Sequence, residues 1–363
     1  MARTEDVVKY DCVEGSGERT RNGGLALKKI ITLEHGGGGL LMRELLDDVI
    51  VPAYRKNKVE GGVGLPEMDD GASIPLGGRH LVVSTDAYTV KPLFFPGGDI
   101  GRLAVCGTVN DVTMMGATPI ALTSALVIEE GLSVDVLARV VKSMGDTLGE
   151  LCIPLVAGDT KIVERGGTDE MLITTSGVGL ADRVVTDSGL RPGDKIILTG
   201  TLGNHQLSLL ASREGLNLET PIESDVAPLF RMIHGAMEVG YITAMKDPTR
   251  GGVSGALNEM AKKSGVDVTI REEDLPIKEA VVSTCGLLGL DPLELANEGV
   301  AIVGVERDSS DEVLDAIRKN EYGRDAAIVG EVKEGAGRAL LETFVGGRRV
   351  IREPVGSPMP RIC

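Results

Sequence analysis

A chain of 363 residues with 54 acidic against 38 basic side chains, a net charge of −16, offers no basic groove for nucleic acid. Aromatic residues at 2% and the lack of tryptophan remove the stacking platforms that single strands need, and no apolar run approaches the roughly 20 residues of a membrane span. What remains, 42% hydrophobic residues and 49 glycines, is enough for two domains with cores of Val, Leu, Ile, Ala and Met, a mixture suited to α/β layers.

Residues 1–28 are polar and lack periodicity, so they read as a mobile extension. Their charged, mixed character is not that of a signal peptide, and the chain is read as cytoplasmic. In "ITLEHGGGGLLMRELLDDVI" a short strand is expected to lead into four glycines, Gly36, Gly37, Gly38 and Gly39, and then a helix striped by Leu41, Leu45 and Val49. "LPEMDDGASIPL" is a loop with paired acids, and "HLVVSTDAY" a buried strand ending near Asp86. "DIGRLAVCGTVNDVTMMGA" predicts a helix capped by Asp99, whose apolar stripe is broken at Asn110. A strand follows at "PIALTSALVIEE", then an amphipathic helix capped by Ser133. "CIPLVAGDTKIV" reads as a strand running into a glycine turn, and "MLITTSGVGL" as another strand.

"RPGDKIILTGTLG" restarts the pattern, which places a first domain over 29–185 and a second over 186–346. The second half predicts helices over 224–239, 252–264, 278–287 and 309–319. Strands are expected before "KDPTRGG", at "VDVTI", at "NEGVAIVGV", and over 326–332 and 339–344. Mixing of strands and helices in both halves favours α/β and α+β layers over a strict parallel order. Residues 347–363 show no pattern and read as a flexible tail.

The glycine run does not satisfy G-x-G-x-x-G, since position 41 is Leu, and no Walker loop occurs. Four glycines opening a helix can still wrap phosphates with backbone N–H groups. The acids say more. Asp70 lies in a loop, Asp86 and Asp159 are expected at the C-terminal ends of two strands, and Asp111 follows Asn110 on a helix. Singly each is an ordinary turn or cap residue. Together they form a repelling carboxylate set unless a cation joins them, and hard oxygen donors point to Mg²⁺. Lys161, two residues after Asp159, would then face an anionic substrate. In "KDPTRGG" and "NEGVAI", Asp247, Arg250, Asn297 and Glu298 repeat the theme, although capping and turn roles account for them as well.

The cysteines, Cys12, Cys106, Cys152, Cys285 and Cys363, are too far apart for a zinc-finger pair. Cys106 and Cys152 read as small core residues. Cys363 is the last residue, behind Pro358, Pro360 and Arg361. It reads either as an accident of composition or as a tethered thiol on a 17-residue tail with an extended reach of roughly 55 Å.

In this order, "GGGG", "MDDGA", "STD", "NDV…MGATP", "AGDTK", "KDPTRGG" and "NEG" resemble the PurM-like (AIR synthase-like) ATP-binding superfamily over roughly residues 30–345. With the ending "MPRIC", the chain resembles its carbamoyl dehydratase family of hydrogenase maturation factors. It differs in its long extension before the glycine run and in lacking the aromatic residue that often follows the terminal cysteine. The resemblance implies a PurM-like two-domain fold, with an N-terminal domain that dimerises by pairing sheets. It also implies ATP and Mg²⁺ between the domains. Asp70, Asp86, Asp111 and Asp159 would hold metal and phosphates. Asn110, Gly158, Thr160, Lys161 and Asp247 would complete the nucleotide pocket, and Gly36–Gly39 would close over it. Cys363 would accept a carbamoyl group from the carbamoyltransferase HypF. ATP would drive dehydration of the thiocarboxamide to a thiocyanate, and the cyano group would pass to the HypC–HypD complex. Lys161 would carry the charge role, and Glu298 or His35 the base. The alternatives are phosphoryl transfer of the selenophosphate or AIR synthetase kind, and a non-catalytic nucleotide-binding scaffold with a docking tail.

Overall fold

The computed structural model describes residues 30–216 and 220–356. The extension over 1–28, Cys12 and Cys363 therefore lie outside the described residues.

Two sheets organise the chain. The first is built from β1 (Ala72–Leu76), β2 (Arg79–Tyr88), β5 (Thr118–Glu129), β6 (Leu155–Val163) and β7 (Met171–Ala181), in the order β1-β2-β7-β5-β6. Only β5 and β6 run parallel. A short ribbon, β3 (Phe94–Phe95) with β4 (Gly98–Asp99), leads into α2 (Ile100–Met114). That helix follows α1 (Leu40–Leu45) in the chain and precedes α3 (Val134–Leu151). The caps fall where the sequence places them. Asp99 accepts the Gly101 and Arg102 N–H groups, and Ser133 accepts that of Asp135. Helices α2 and α3 cover one face of the sheet around Ile100, Leu103, Val140, Met144 and Ile173. The alternation along β7 shows this one-sided cover: Met171, Ile173 and Thr175 are buried, while Leu172, Thr174 and Ser176 are only half-buried.

The second sheet has the order β14-β13-β10-β12-β8-β11-β9. Its strands are β8 (Lys195–Leu198), β9 (Ile242–Lys246), β10 (Val266–Arg271), β11 (Ile302–Val305), β12 (Ala327–Glu334), β13 (Ala339–Glu342) and β14 (Arg348–Val350). Both faces are covered. α6 (Gly252–Ser264) packs against the side that carries Ile196, Leu198 and Ile302. α5 (Phe230–Val239) and α8 (Ser310–Arg318) pack against Ile197 and Val303. Burial on both faces explains why β8 reads as the unbroken run "KIIL". α4 (Asn204–Glu214) and α7 (Glu279–Leu288) meet around Leu207, Val281 and Cys285.

Several expectations need correction. Residues 30–32 form no strand; a short 3-10 turn, Leu33–Gly36, precedes α1, which buries none of its stripe. α5 begins at Phe230 rather than near 224, because Pro228 has no N–H to donate within a helix. α4 is absent from the sequence reading. Its start, Asn204, His205 and Gln206, is polar yet buried, so no apolar period announces it. Cys152 is exposed at the C-terminal end of α3, while Cys106 is buried as expected. The tail does not begin patternless at 347, because β14 pairs with β13 and Ile351 is buried.

Candidate active site

Five carboxylates meet where the two layers face each other. Asp70 comes from the loop before β1, Asp86 from β2, Asp111 from α2, Asp247 from the end of β9, and Glu298 from the segment before β11. Each is tied into place locally. The Tyr88 and Thr108 hydroxyls both donate to Asp86 Oδ2, each at 3.2 Å. Ser84 Oγ donates to Asp111 Oδ2 at 2.6 Å. Lys246 Nζ donates to Asp70 Oδ1 at 2.6 Å, leaving the buried Oδ2 without a partner. Lys263 holds Asp187 at 2.6 Å, and Asp69 Oδ2 accepts the Asp187 N–H.

Burial is the main cause that pushes Asp69, Asp70, Asp111, Asp247 and Glu298 up. For Asp111 it acts with the charges of Asp86, Asp247 and Asp70, and the result lies well above the ordinary range. Asp247 is raised by burial and then by Asp70. Glu298 is raised by burial and then by Asp247, Asp225 and Asp86. Asp69, beside Asp70 and Asp187, is pushed up to about 7 by burial and then by those two charges. Burial raises Asp70 too, although Lys246 opposes it. The Asp70 oxygen without a partner stands where bound positive charge would most relieve this mutual repulsion. Among the described residues no three His, Cys, Asp or Glu side chains form a group that could hold a metal ion as they stand. Asp70, Asp86 and Asp111 are instead linked by the mutual action of their charges.

Beside the acids lies a cavity of about 540 Å³ lined by Gly38, Gly39, Arg43, Lys246, Arg250 and Glu259, among others. Its glycine wall is docked rather than open. Gly38 has φ +70°, and a Cβ there would meet Arg250 at 2.5 Å. A Cβ on Gly39 would lie 2.2 Å from the Pro354 carbonyl oxygen.

Other candidates are placed differently. Asn110 is not free for a nucleotide. Its Oδ1 accepts the Leu229 N–H at 2.8 Å, and its Nδ2 donates to the Ala227 and Glu298 carbonyls at 3.0 and 3.3 Å. It is a buried stitch that fixes the Glu298 segment to α2. His35 is buried under the glycine run. Its Nδ1 lies 3.1 Å from the Thr32 N–H, 3.0 Å from the Thr32 hydroxyl and 3.3 Å from the Thr32 carbonyl, and its Nε2 is buried without a partner among the described residues. Glu298 Oε1 is buried without a partner.

Gly158, Asp159, Thr160 and Lys161 lie mid-strand in β6, not at a strand end, and all are exposed. Register shows why they do not join the acids. The row Asp86–Thr175–Ser124–Gly158 crosses the sheet on the face that α2 covers. Asp159 belongs to the next row, with Ala87, and Lys161 lies two residues on, so both occupy the opposite face. Three strand spacings also separate β6 from β2, about 14 Å. Residues that sequence reasoning passed over include Lys246 and Arg43. Their basic side chains stand among acids that look like surface charge until the fold buries them.

Residues 68–181 match the N-terminal domain of AIR synthase related proteins, and residues 191–341 match the C-terminal domain. The chain is 46% identical to a hydrogenase expression/formation protein of Methanocaldococcus jannaschii, over 92% of this chain and 99% of that one. It is 39% identical to the carbamoyl dehydratase HypE of Escherichia coli K12, over 92% and 99%. Among solved structures, a HypE–HypF complex matches with a TM-score of 0.80 at 44% identity, covering 85% of this chain and 99% of that one. A HypE in complex with ATP matches with a TM-score of 0.76 at 41% identity, covering 91% and 99%.

Proposed function

Because the chain belongs to the carbamoyl dehydratase HypE family of hydrogenase maturation factors, built on the two AIR synthase related domains, we propose that it performs an ATP-dependent dehydration on its own C-terminal thiol. A carbamoyl group carried on Cys363 as a thiocarboxamide would become a thiocyanate. The amide oxygen is a poor leaving group. Transfer of the γ-phosphoryl group to it releases ADP. Loss of both N–H protons and of phosphate then leaves the carbon–nitrogen triple bond. The observation that carries this reading is the buried acid centre with its unsatisfied Asp70 oxygen beside a glycine-walled cavity, in a chain whose relatives include an ATP complex.

In this reading Asp70, Asp86 and Asp111 hold Mg²⁺, which when bound would spread the charge of the transferred phosphoryl group. Glu298, whose carboxyl burial raises well above the ordinary range, is the candidate base, and in its ionised form it would accept a proton from the nitrogen. Gly36–Gly39 and Asp247 border the nucleotide. Asp159 and Lys161 reach a site only if a second copy supplies them, and the edge of β6 supports that. Leu155, Val156 and Ile162 lie exposed at 48%, 62% and 62% on a strand with one free edge, a template for pairing with another chain. The protein would thus act as a homodimer whose N-terminal sheets meet. Its partners would be a HypF-type carbamoyltransferase as donor and a HypC–HypD complex as acceptor. Among the described residues no helix is long and apolar enough to cross a membrane.

Mass spectrometry of the C-terminal peptide tests the reading. With carbamoyl phosphate, the carbamoyltransferase and MgATP, Cys363 should gain a carbamoyl group and then lose the mass of one water. An unmodified Cys363, or undiminished hydrogenase maturation by Cys363→Ala, would overturn it. Nucleotide binding with no thiol dependence would favour the scaffold alternative.

A further inference from the structure

We infer that Arg43 is the anchor of the C-terminal segment, gripping Glu353 and Glu259 at once so that residues 351–355 are held along the glycine run and Cys363 works on a short tether. The guanidinium meets Glu353 in a two-point contact, with NH2 to Oε1 at 2.8 Å and NH1 to Oε2 at 3.1 Å. It also donates to Glu259 on α6 at 2.9 Å. Arg43 and Glu353 side chains are each only 17% exposed, and a two-point pair of that kind is stronger and more directional than a surface ion pair.

The backbone follows the same path. The Leu40 N–H donates to the Pro354 carbonyl at 3.0 Å, and the Leu41 N–H to that of Val355 at 3.3 Å. Asn258 Nδ2 donates to the Ile351 carbonyl at 3.0 Å, and Ile351 itself is buried in the α6 core. Gly39 permits the approach, because any side chain there would strike the Pro354 carbonyl. The anchor is also close to the acid centre. Glu259 lies 3.5 Å from Lys246, which in turn holds Asp70.

The mechanical consequence is a change of reach. Seven residues follow Gly356, and fully extended they span about 24 Å, less than half of what a tail free from residue 347 would sweep. Anchoring keeps the effective concentration of the thiol high near the cavity of its own subunit. It also obliges a carbamoyl donor to dock close to that cavity. Arg43 is in this sense a positioning residue, acting through where the segment leaves the body.

The chemical arm of the test rests on the dehydratase reading; the exchange arm does not. Amide hydrogen exchange is followed on the full chain, in wild type and in Glu353→Gln, Arg43→Met and the double variant. The Leu40 and Leu41 amides should exchange about tenfold faster in each single variant, with the double variant no faster, while the β10 amides keep their protection. Arg43→Lys should restore part of the protection. In single turnover from pre-carbamoylated Glu353→Gln protein with saturating MgATP, dehydration should slow about tenfold, with nucleotide affinity within twofold of wild type. Unchanged Leu40 and Leu41 exchange would overturn the anchor, and so would faster exchange with undiminished dehydration. If Cys363→Ser still supports dehydration, the dehydratase reading falls, and the exchange rates alone decide the anchor.

Discussion

Asp86 and Asp159 are the same residue type on strands of the same sheet, and almost everything that decides their chemistry differs. Asp86 faces α2, accepts two hydroxyls and stands among buried acids. Asp159 faces the other way on an edge strand, where its carboxylate accepts the Thr160 N–H beside it, at 2.8 Å. One set of carboxylates is gathered and buried within a single chain. The other is a set of polar side chains awaiting a surface. Register and cover, not composition, separate them: one step along a strand turns a side chain to the far face.

The comparison breaks first at the acid centre. Asp111→Asn should cut Mg²⁺–ATP turnover by about 10²–10³-fold. It should also raise the stability of the metal-free protein at pH 8 by about 1 kcal/mol, because a crowded carboxylate has been removed. Asp159→Asn, exposed and unburdened, should leave that stability within about 0.5 kcal/mol. Thermal melts of the two variants side by side decide this, and equal shifts would remove the distinction. Lys161→Ala should slow dehydration by about 10²-fold while Cys363 still accepts its carbamoyl group. Normal dehydration would end its proposed role.

Asn110→Ala should act on stability, costing about 2–3 kcal/mol as buried backbone groups of Ala227, Leu229 and Glu298 lose their partner. A melt that stays put while nucleotide affinity collapses would return Asn110 to the pocket. The smallest effect is the pH profile. Folded Asp69 keeps its proton up to about 7 against an ordinary 3.8, so the folded chain binds more protons than the unfolded one across that window. Stability of the metal-free protein should therefore fall as pH rises from about 4 to about 7, and MgATP should flatten the slope. Below that window the sign reverses. Asp267, held down to about 2 first by Arg338, and Glu331, held to about 2 first by Lys333, lose their stabilisation as they take up protons.

Much of this was legible in the chain. Caps at Asp99 and Ser133, the one-sided alternation of β7 and the run "KIIL" all follow from local rules, because each buries a face that its own residues define. Asp70, Asp86, Asp111 and Asp159 read as one carboxylate set, and the fold brings together the charges of the first three while Asp159 stays exposed on β6. What was hidden depends on distant partners. Asn110 looks like a ligand until Leu229 and Glu298 are seen to use its amide. β6 looks like a strand with a turn at "GD" until pairing with β5 carries it through to Val163. α4 is polar where it is most buried, since it lies between elements far apart in the chain. The tail looked free from residue 347 because nothing in "REPVG" tells that Arg43 will meet its glutamate.

Whether the edge strand of one copy serves the acid centre of another, as proposed above, is best tested by mixing chains. Asp86→Asn and Lys161→Ala are each expected to be inactive alone. If Lys161 serves the acid centre of the second copy, a mixed dimer carries one site with both changes and one with neither. Carbamoylated Cys363 peptides from the mixture should then show the loss of water in up to about a quarter of the chains, the share expected from random pairing. No dehydration in the mixture, alongside full activity when both native residues share one chain, would contradict the account.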